Sequence, residues 1–299
     1  MRDLLGGFKC GTCGNTGGNT STTNPAVTPP SPPTGNARLV NLSVRTTAGR
    51  DSAALVVGFN LTGSASKPML IRGIGPTLGM FGVVGALADP VMVLKNSSGG
   101  TVLENDNWGG AAVVVAAAGR LGAFALDASS RDSVALPALT PGAYTATVTP
   151  ANAATTPGIA LVELYDADPT AGSRLTNVST RALVGTGNEI LVVGFAVSGS
   201  GTRNLLIRAI GPTLAAFGVT GTLADPKLEI YQNGALIRAS DNWDAGLAPL
   251  FATVGAFPLT TNSTDAALAL ALSPGTYTAQ VSGVGNTAGV ALVEVYELP

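Results

Sequence analysis

Leu70-Ile-Arg-Gly-Ile-Gly-Pro-Thr-Leu78 returns 136 residues later as Leu206-Ile-Arg-Ala-Ile-Gly-Pro-Thr-Leu214. The same offset links Arg38-Leu-Val-Asn-Leu-Ser-Val-Arg45 to Arg174-Leu-Thr-Asn-Val-Ser-Thr-Arg181, Leu55-Val-Val-Gly-Phe59 to Leu191-Val-Val-Gly-Phe195, and Leu87-Ala-Asp-Pro90 to Leu223-Ala-Asp-Pro226. Further along it shortens, to 135 for Asp106-Asn-Trp108 and Asp241-Asn-Trp243, 133 for Gly122-Ala-Phe124 and Gly255-Ala-Phe257, and 131 for Ala160-Leu-Val-Glu163 and Ala291-Leu-Val-Glu294. Length changes therefore fall between motifs, where loops absorb them. A repeat of about 130 residues is domain-sized, unlike the 20–50-residue repeats of a solenoid. Two tandem domains are expected, over residues 37–169 and 170–299, behind an N-terminal segment of residues 1–36.

Within each copy the periodicity is that of strands. Lys227-Leu-Glu-Ile-Tyr231 alternates polar and apolar, and Tyr277-Thr-Ala-Gln-Val281 does so more loosely. Ala53–Phe59 and Gly289–Tyr296 are near-continuous apolar runs, as strands buried on both faces require. Pro141-Gly142 and Pro274-Gly275 mark tight turns. Seven to nine short strands per copy predict an all-β chain of two tandem antiparallel β-sandwich or jelly-roll domains. Gly75–Gly82 and Gly211–Gly218 read as single helical turns, with Pro near the start and Gly at the end. The Ala-rich stretch 110–119 fits a short helix or a strand.

Composition removes whole classes of function. Of 299 residues 45% are apolar and 11% charged, so the bulk of the chain has enough apolar surface to fold. Eighteen acids against sixteen Lys and Arg leave a net charge of −2, which argues against a nucleic-acid partner. The absence of histidine excludes Ser-His-Asp and Cys-His nucleophiles and the usual zinc sets. The longest apolar run, Ala111–Ala118, is far below the ~20 residues of a membrane-spanning helix. Residues 11–36 are rich in Gly, Asn, Thr, Ser and Pro and read as an extended linker or a disordered tail. Cys10 and Cys13, spaced Cys-Gly-Thr-Cys, suit a local disulfide or an intermolecular bridge, with free thiols the alternative. The first thirteen residues lack the apolar stretch of a secretory signal.

The series Leu-Ala-Asp-Pro, alternating strand, Asn-Asp-Asn-Trp (Asn105–Trp108; Ser240-Asp-Asn-Trp243 in copy two), then Pro-Gly-x-Tyr-Thr-Ala resembles the bacterial pre-peptidase C-terminal domain. The whole unit is similar to a repeat of large secreted and cell-surface bacterial proteins. The resemblance implies a non-catalytic, exported β-sandwich serving adhesion, assembly or an accessory role.

Candidate sites follow from the repeated polar residues. Asp106 and Asp241, in turns beside Asn and Trp, offer oxygens to a calcium ion with Asp89 and Asp225, or else form Asx turns that cap their own backbone. No other cofactor is implied. Arg72 and Arg208 sit in apolar strands and need partners, for which Asp132 with Asp265, or Glu163 with Glu294, recur at equivalent places. Recognition of an anionic ligand is the rival reading of these arginines. Trp108 and Trp243 are candidates for stacking on polysaccharide, against packing over the sandwich end. The expected function is a non-catalytic extracellular structural or interaction protein that self-assembles into a fibre or layer by strand addition. An accessory module binding polysaccharide, or dependent on calcium, is the alternative.

Overall fold

The computed structural model describes residues 30–170 and 172–299. Cys10 and Cys13 lie outside the described residues. After a two-residue strand β1 (Thr34–Gly35), the first repeat supplies β2 (Arg38–Ala48), β3 (Leu55–Gly63), β4 (Lys67–Ile74), β5 (Pro90–Asn96), β6 (Thr101–Asn105), helix α1 (Ala112–Leu121), β7 (Ser133–Ala135), β8 (Ala138–Leu139), β9 (Gly142–Pro150) and β10 (Gly158–Asp166). The second supplies β11 (Ser173–Val184), β12 (Leu191–Ser198), β13 (Gly201–Ile210), β14 (Pro226–Gln232), β15 (Ala235–Ser240), helix α2 (Ala248–Thr253), β16 (Ala266–Leu272), β17 (Gly275–Gly283) and β18 (Gly289–Glu297). The expected helical turns are 3-10 turns, Pro76–Phe81 and Pro212–Phe217, each ended by a glycine at φ 78°. The ambiguous Ala-rich stretch is α1.

The strands form two antiparallel nine-stranded sheets. The first runs β1-β13-β18-β11-β3-β9-β5-β6, with β16 also on β13; the second runs β15-β14-β17-β12-β2-β10-β4-β7, with β8 also on β4. Each repeat puts its β2- or β11-containing half in one sheet and its β3- or β12-containing half in the other. The halves then meet across repeats: β2 pairs with β12 and β3 with β11. The expected division of the chain therefore marks where one strand pattern ends and the next begins, not a division of the core. Leu42, Val44, Phe59 and Val57 of the first repeat share one buried cluster with Val178, Val193, Phe195 and Val295 of the second. The physical reason lies in the edges. A single repeat would expose the apolar strands β2 and β3 along two unpaired edges, a liability that pairing with the other repeat removes.

At its far end each repeat narrows. Strand β7 approaches β5 and β6, and β16 approaches β14 and β15, so the two sheets draw together there. The outer edge strands β6 and β15 are each bulged. A third layer covers half of each outer face. Helix α1 and the first 3-10 turn lie over β4 and β10, burying Leu70, Ile74, Leu78, Trp108, Val114 and Leu161. Helix α2 and the second turn lie over β13 and β18, burying Leu206, Leu214 and Phe251.

Candidate functional site

The register sets the polar chemistry beneath these caps. Glu163 lies directly across from Arg72, and Glu294 from Arg208, on the outward faces that the caps cover. Arg72 Nε is 3.2 Å from Glu163 Oε2, and Arg208 Nε donates to Glu294 Oε2 at 2.8 Å. Each guanidinium also reaches up into the cap. Arg72 Nη1 donates to the Phe124 carbonyl at 3.0 Å and Arg208 Nη1 to the Phe257 carbonyl at 2.6 Å, with the guanidinium carbons 4.1 Å and 4.6 Å from the centres of those two rings. The second carboxylate oxygen accepts from the tyrosine two residues on, Tyr165 or Tyr296, at 2.8 Å in both copies. Burial raises the Glu163 pKa against the pull of Arg72, and burial beside a carboxylate raises both tyrosines. With 1% and 0% of Arg72 and Arg208 exposed, neither cation is open to a ligand from solvent.

Asp132 and Asp265 do not join these pairs. Their carboxylates accept from the N–H of Gly75 and Gly211 at 2.8 Å and 2.7 Å, from the Thr77 and Thr213 hydroxyls, and from Ser130 and Ser263 at 2.8 Å and 2.6 Å. They fasten the start of each 3-10 turn to the loop before β7 or β16. Backbone N–H groups with no helical acceptor need such a partner, and a buried aspartate supplies it. The main-chain carbonyls of the same two residues accept from the N–H of Trp108 and Trp243 at 3.0 Å and 2.7 Å. The tryptophans are thus held within the caps: Trp108 is 7% exposed and its indole donates to the Asp127 carbonyl, while Trp243 packs on Phe251 and donates to Ser263. They form cap-to-sheet contacts rather than an open sugar-stacking platform.

A second buried charge cluster recurs in both copies. Lys67 Nζ is 2.7 Å from Asp166, with Arg38 3.9 Å away; Arg203 is 3.3 Å from Glu297, with Arg174 3.4 Å away. Positions 67 and 203 keep the 136-residue offset, and 166 and 297 the 131-residue one. Charge is retained while residue type changes, Lys to Arg and Asp to Glu, so matching identities between repeats misses this cluster. Glu297 further accepts from the Leu39 N–H at 2.5 Å, joining the last strand to the first repeat.

The four aspartates proposed for calcium separate into unlike pairs. Asp89 is bonded by Arg131 at 3.0 Å. In the second repeat the equivalent of Arg131 is Thr264, whose hydroxyl donates to the Ala224 carbonyl, and burial together with the charge of Asp241 raises the Asp225 pKa. Among the described residues no group of three or more acidic, His or Cys side chains is gathered to hold a metal. Copying the arginine gives a direct test. Thr264→Arg is expected to raise stability by about 0.5 kcal/mol at pH 7, the scale of an exposed ion pair, and to lower the Asp225 pKa. Because that pKa is raised in the folded protein, its penalty is present above the folded value and relieved as pH falls through it. The variant's advantage in urea unfolding therefore shrinks on acidification through the carboxylate range.

No family model matches the sequence and no curated protein matches it. Among solved structures the chain is similar to a DUF4785 family protein from Legionella pneumophila, at 7% identity and a TM-score of 0.26, over 89% of this chain and 81% of that one. Among the described residues no helix is long and apolar enough to cross a membrane.

Proposed function

We propose that the chain is a non-catalytic structural or interaction protein of the cell exterior, whose copies join end to end by strand addition. The observation that carries the reading is the chemistry of the two outermost edge strands. Strand β6, at the far end of the first repeat, exposes Val102 and Glu104; β15, at the far end of the second, exposes Leu236, Ile237 and Arg238. Among the described residues each has no strand paired along its outer side, and the two carry charges of opposite sign. Like ends repel and unlike ends attract, so the contact favoured is head to tail. Such a contact does not close on itself and yields an open filament unless the rotation per copy forms a ring. The use of recurring buried charges to fasten caps to sheets supports a cohesive role over catalysis. The resemblance to repeats of secreted bacterial proteins supports the location.

Sedimentation velocity over a hundredfold concentration range, with electron microscopy of the concentrated samples, tests this. Association into linear species is expected, lost in Arg238→Glu and restored in Arg238→Glu combined with Glu104→Arg. A wild-type chain that stays monomeric throughout overturns the assembly reading.

A further inference from the structure

The caps leave half of each outer face uncovered, and the two uncovered halves differ. In the second sheet the outward rows are Tyr231, Thr278, Gly194, Ser43 and Glu229, Gln280, Val192, Arg45, each residue directly across from the next. The matching positions of the first repeat, on β5 and β9, are Val93, Lys95, Thr145 and Thr147. Core-facing positions on the same strands scarcely change: Tyr144, Ala146 and Val148 correspond to Tyr277, Ala279 and Val281. The outward side of the second repeat has thus gained a phenol, a carboxylate and an amide where the first has Lys, Val and Thr.

Its shape differs as well. Val192 and Gly194 point outward yet are buried, whereas their counterparts Val56 and Gly58 are half-exposed. Five residues of this face, Tyr231, Thr278, Gln280, Val192 and Arg45, line a groove whose walls include Phe81, Val83 and Leu121 from the first cap and Asn233 at the end of β14. From β14 to β2 is three strand spacings, about 14 Å, room for one extended chain.

We propose that this groove binds a neutral glycan chain. The Gln280 and Asn233 amides and the Thr276 and Thr278 hydroxyls both donate and accept, as vicinal sugar hydroxyls do. Tyr231 supplies an aromatic face for the apolar side of a pyranose. The charges flanking it, Lys227 and Glu229, are 2.7 Å apart and offset each other, and of the charged residues lining the groove the cations Arg45 and Arg181 are matched in number by the acids Asp166 and Glu189, so no net charge selects an acidic polymer. The site lies outside the capped tryptophans and is independent of end-to-end assembly.

Probing the full chain against an immobilised array of neutral glucan, mannan, galactan and xylan oligosaccharides tests the assignment. Binding to at least one class is expected, falling at least tenfold in Tyr231→Ala and Gln280→Ala, largely kept in Tyr231→Phe, and unchanged in Lys95→Ala, the first-repeat counterpart of Tyr231. Circular dichroism establishes that each variant is folded; should Tyr231→Ala fail to fold, Gln280→Ala decides. No response on the array, or a response that folded variants of the groove leave intact, overturns the proposal. Arg238→Glu, which removes end-to-end association, is expected to leave glycan binding in place, so the two readings fail separately.

Discussion

Glu294→Ala is expected to destabilise the protein by about 3–5 kcal/mol, because it strands the guanidinium of Arg208 in the dry layer between β13 and the cap of the second repeat. Arg208 is fully buried and spends its donors on Glu294 and the Phe257 carbonyl. Removing the carboxylate leaves a cation with no counter-charge and takes the acceptor from the Tyr296 hydroxyl. The comparison that isolates the charge is Arg208→Met with Glu294→Leu, in which both partners become apolar. That double variant should be more stable than Glu294→Ala, while remaining below wild type because the Phe257 carbonyl and the Tyr296 hydroxyl lose their partners, at about 1–3 kcal/mol each when buried. Equilibrium unfolding in guanidinium chloride measures all three. Glu163→Ala should behave alike in the first repeat, where the same atoms meet under the Phe124 cap. A loss below 1 kcal/mol in both single variants would mean that water reaches the arginines and that the caps are not sealed.

The all-β class was legible because the informative residues are local. Alternation in Lys227–Tyr231 places two side chains inward and three outward whatever the strand pairs with, and β14 follows it. Gly-Pro at one end and Gly at the other define a helical turn by backbone sterics alone. The Ala-rich stretch stayed ambiguous because Ala and Val lack the capping signals that separate a helix from a strand, and α1 has no side-chain cap. Pairing across repeats was illegible for a different reason. The pattern of β2 and β3 is the same whether their free edges meet each other, solvent or the second repeat, and only the geometry of the closed core decides. The buried arginines announced their need for a partner. Choosing Glu over Asp required knowing which strand lies alongside, although Glu163-Leu-Tyr165 and Glu294-Val-Tyr296, same-face pairs two residues apart, were a usable sign.

Phe59→Ala, in the first repeat, is expected to lower the stability of the second. Phe59 lies on the junction strand β3, 2% exposed, stacked on Tyr144 with ring centroids 5.5 Å apart and directly across from Val178 of β11. Truncating a buried phenylalanine costs about 3–5 kcal/mol. If the two repeats were independent, that loss would be confined to residues 37–169. With both sheets and one apolar cluster running across the junction, unfolding the first repeat bares β11 and β12 along their full length, so the second repeat loses its edge partners and part of its core at the same step. Tryptophan fluorescence can read the two halves separately, since Trp108 belongs to the first and Trp243 to the second. In a Trp108→Phe background the transition reported by Trp243 should be single, coincide with loss of the far-ultraviolet strand signal, and move to lower denaturant when Phe59→Ala is added, with its slope unchanged. A Trp243 transition that ignores the substitution would mean that the repeats unfold separately and that the pairing of β3 with β11 contributes little to either.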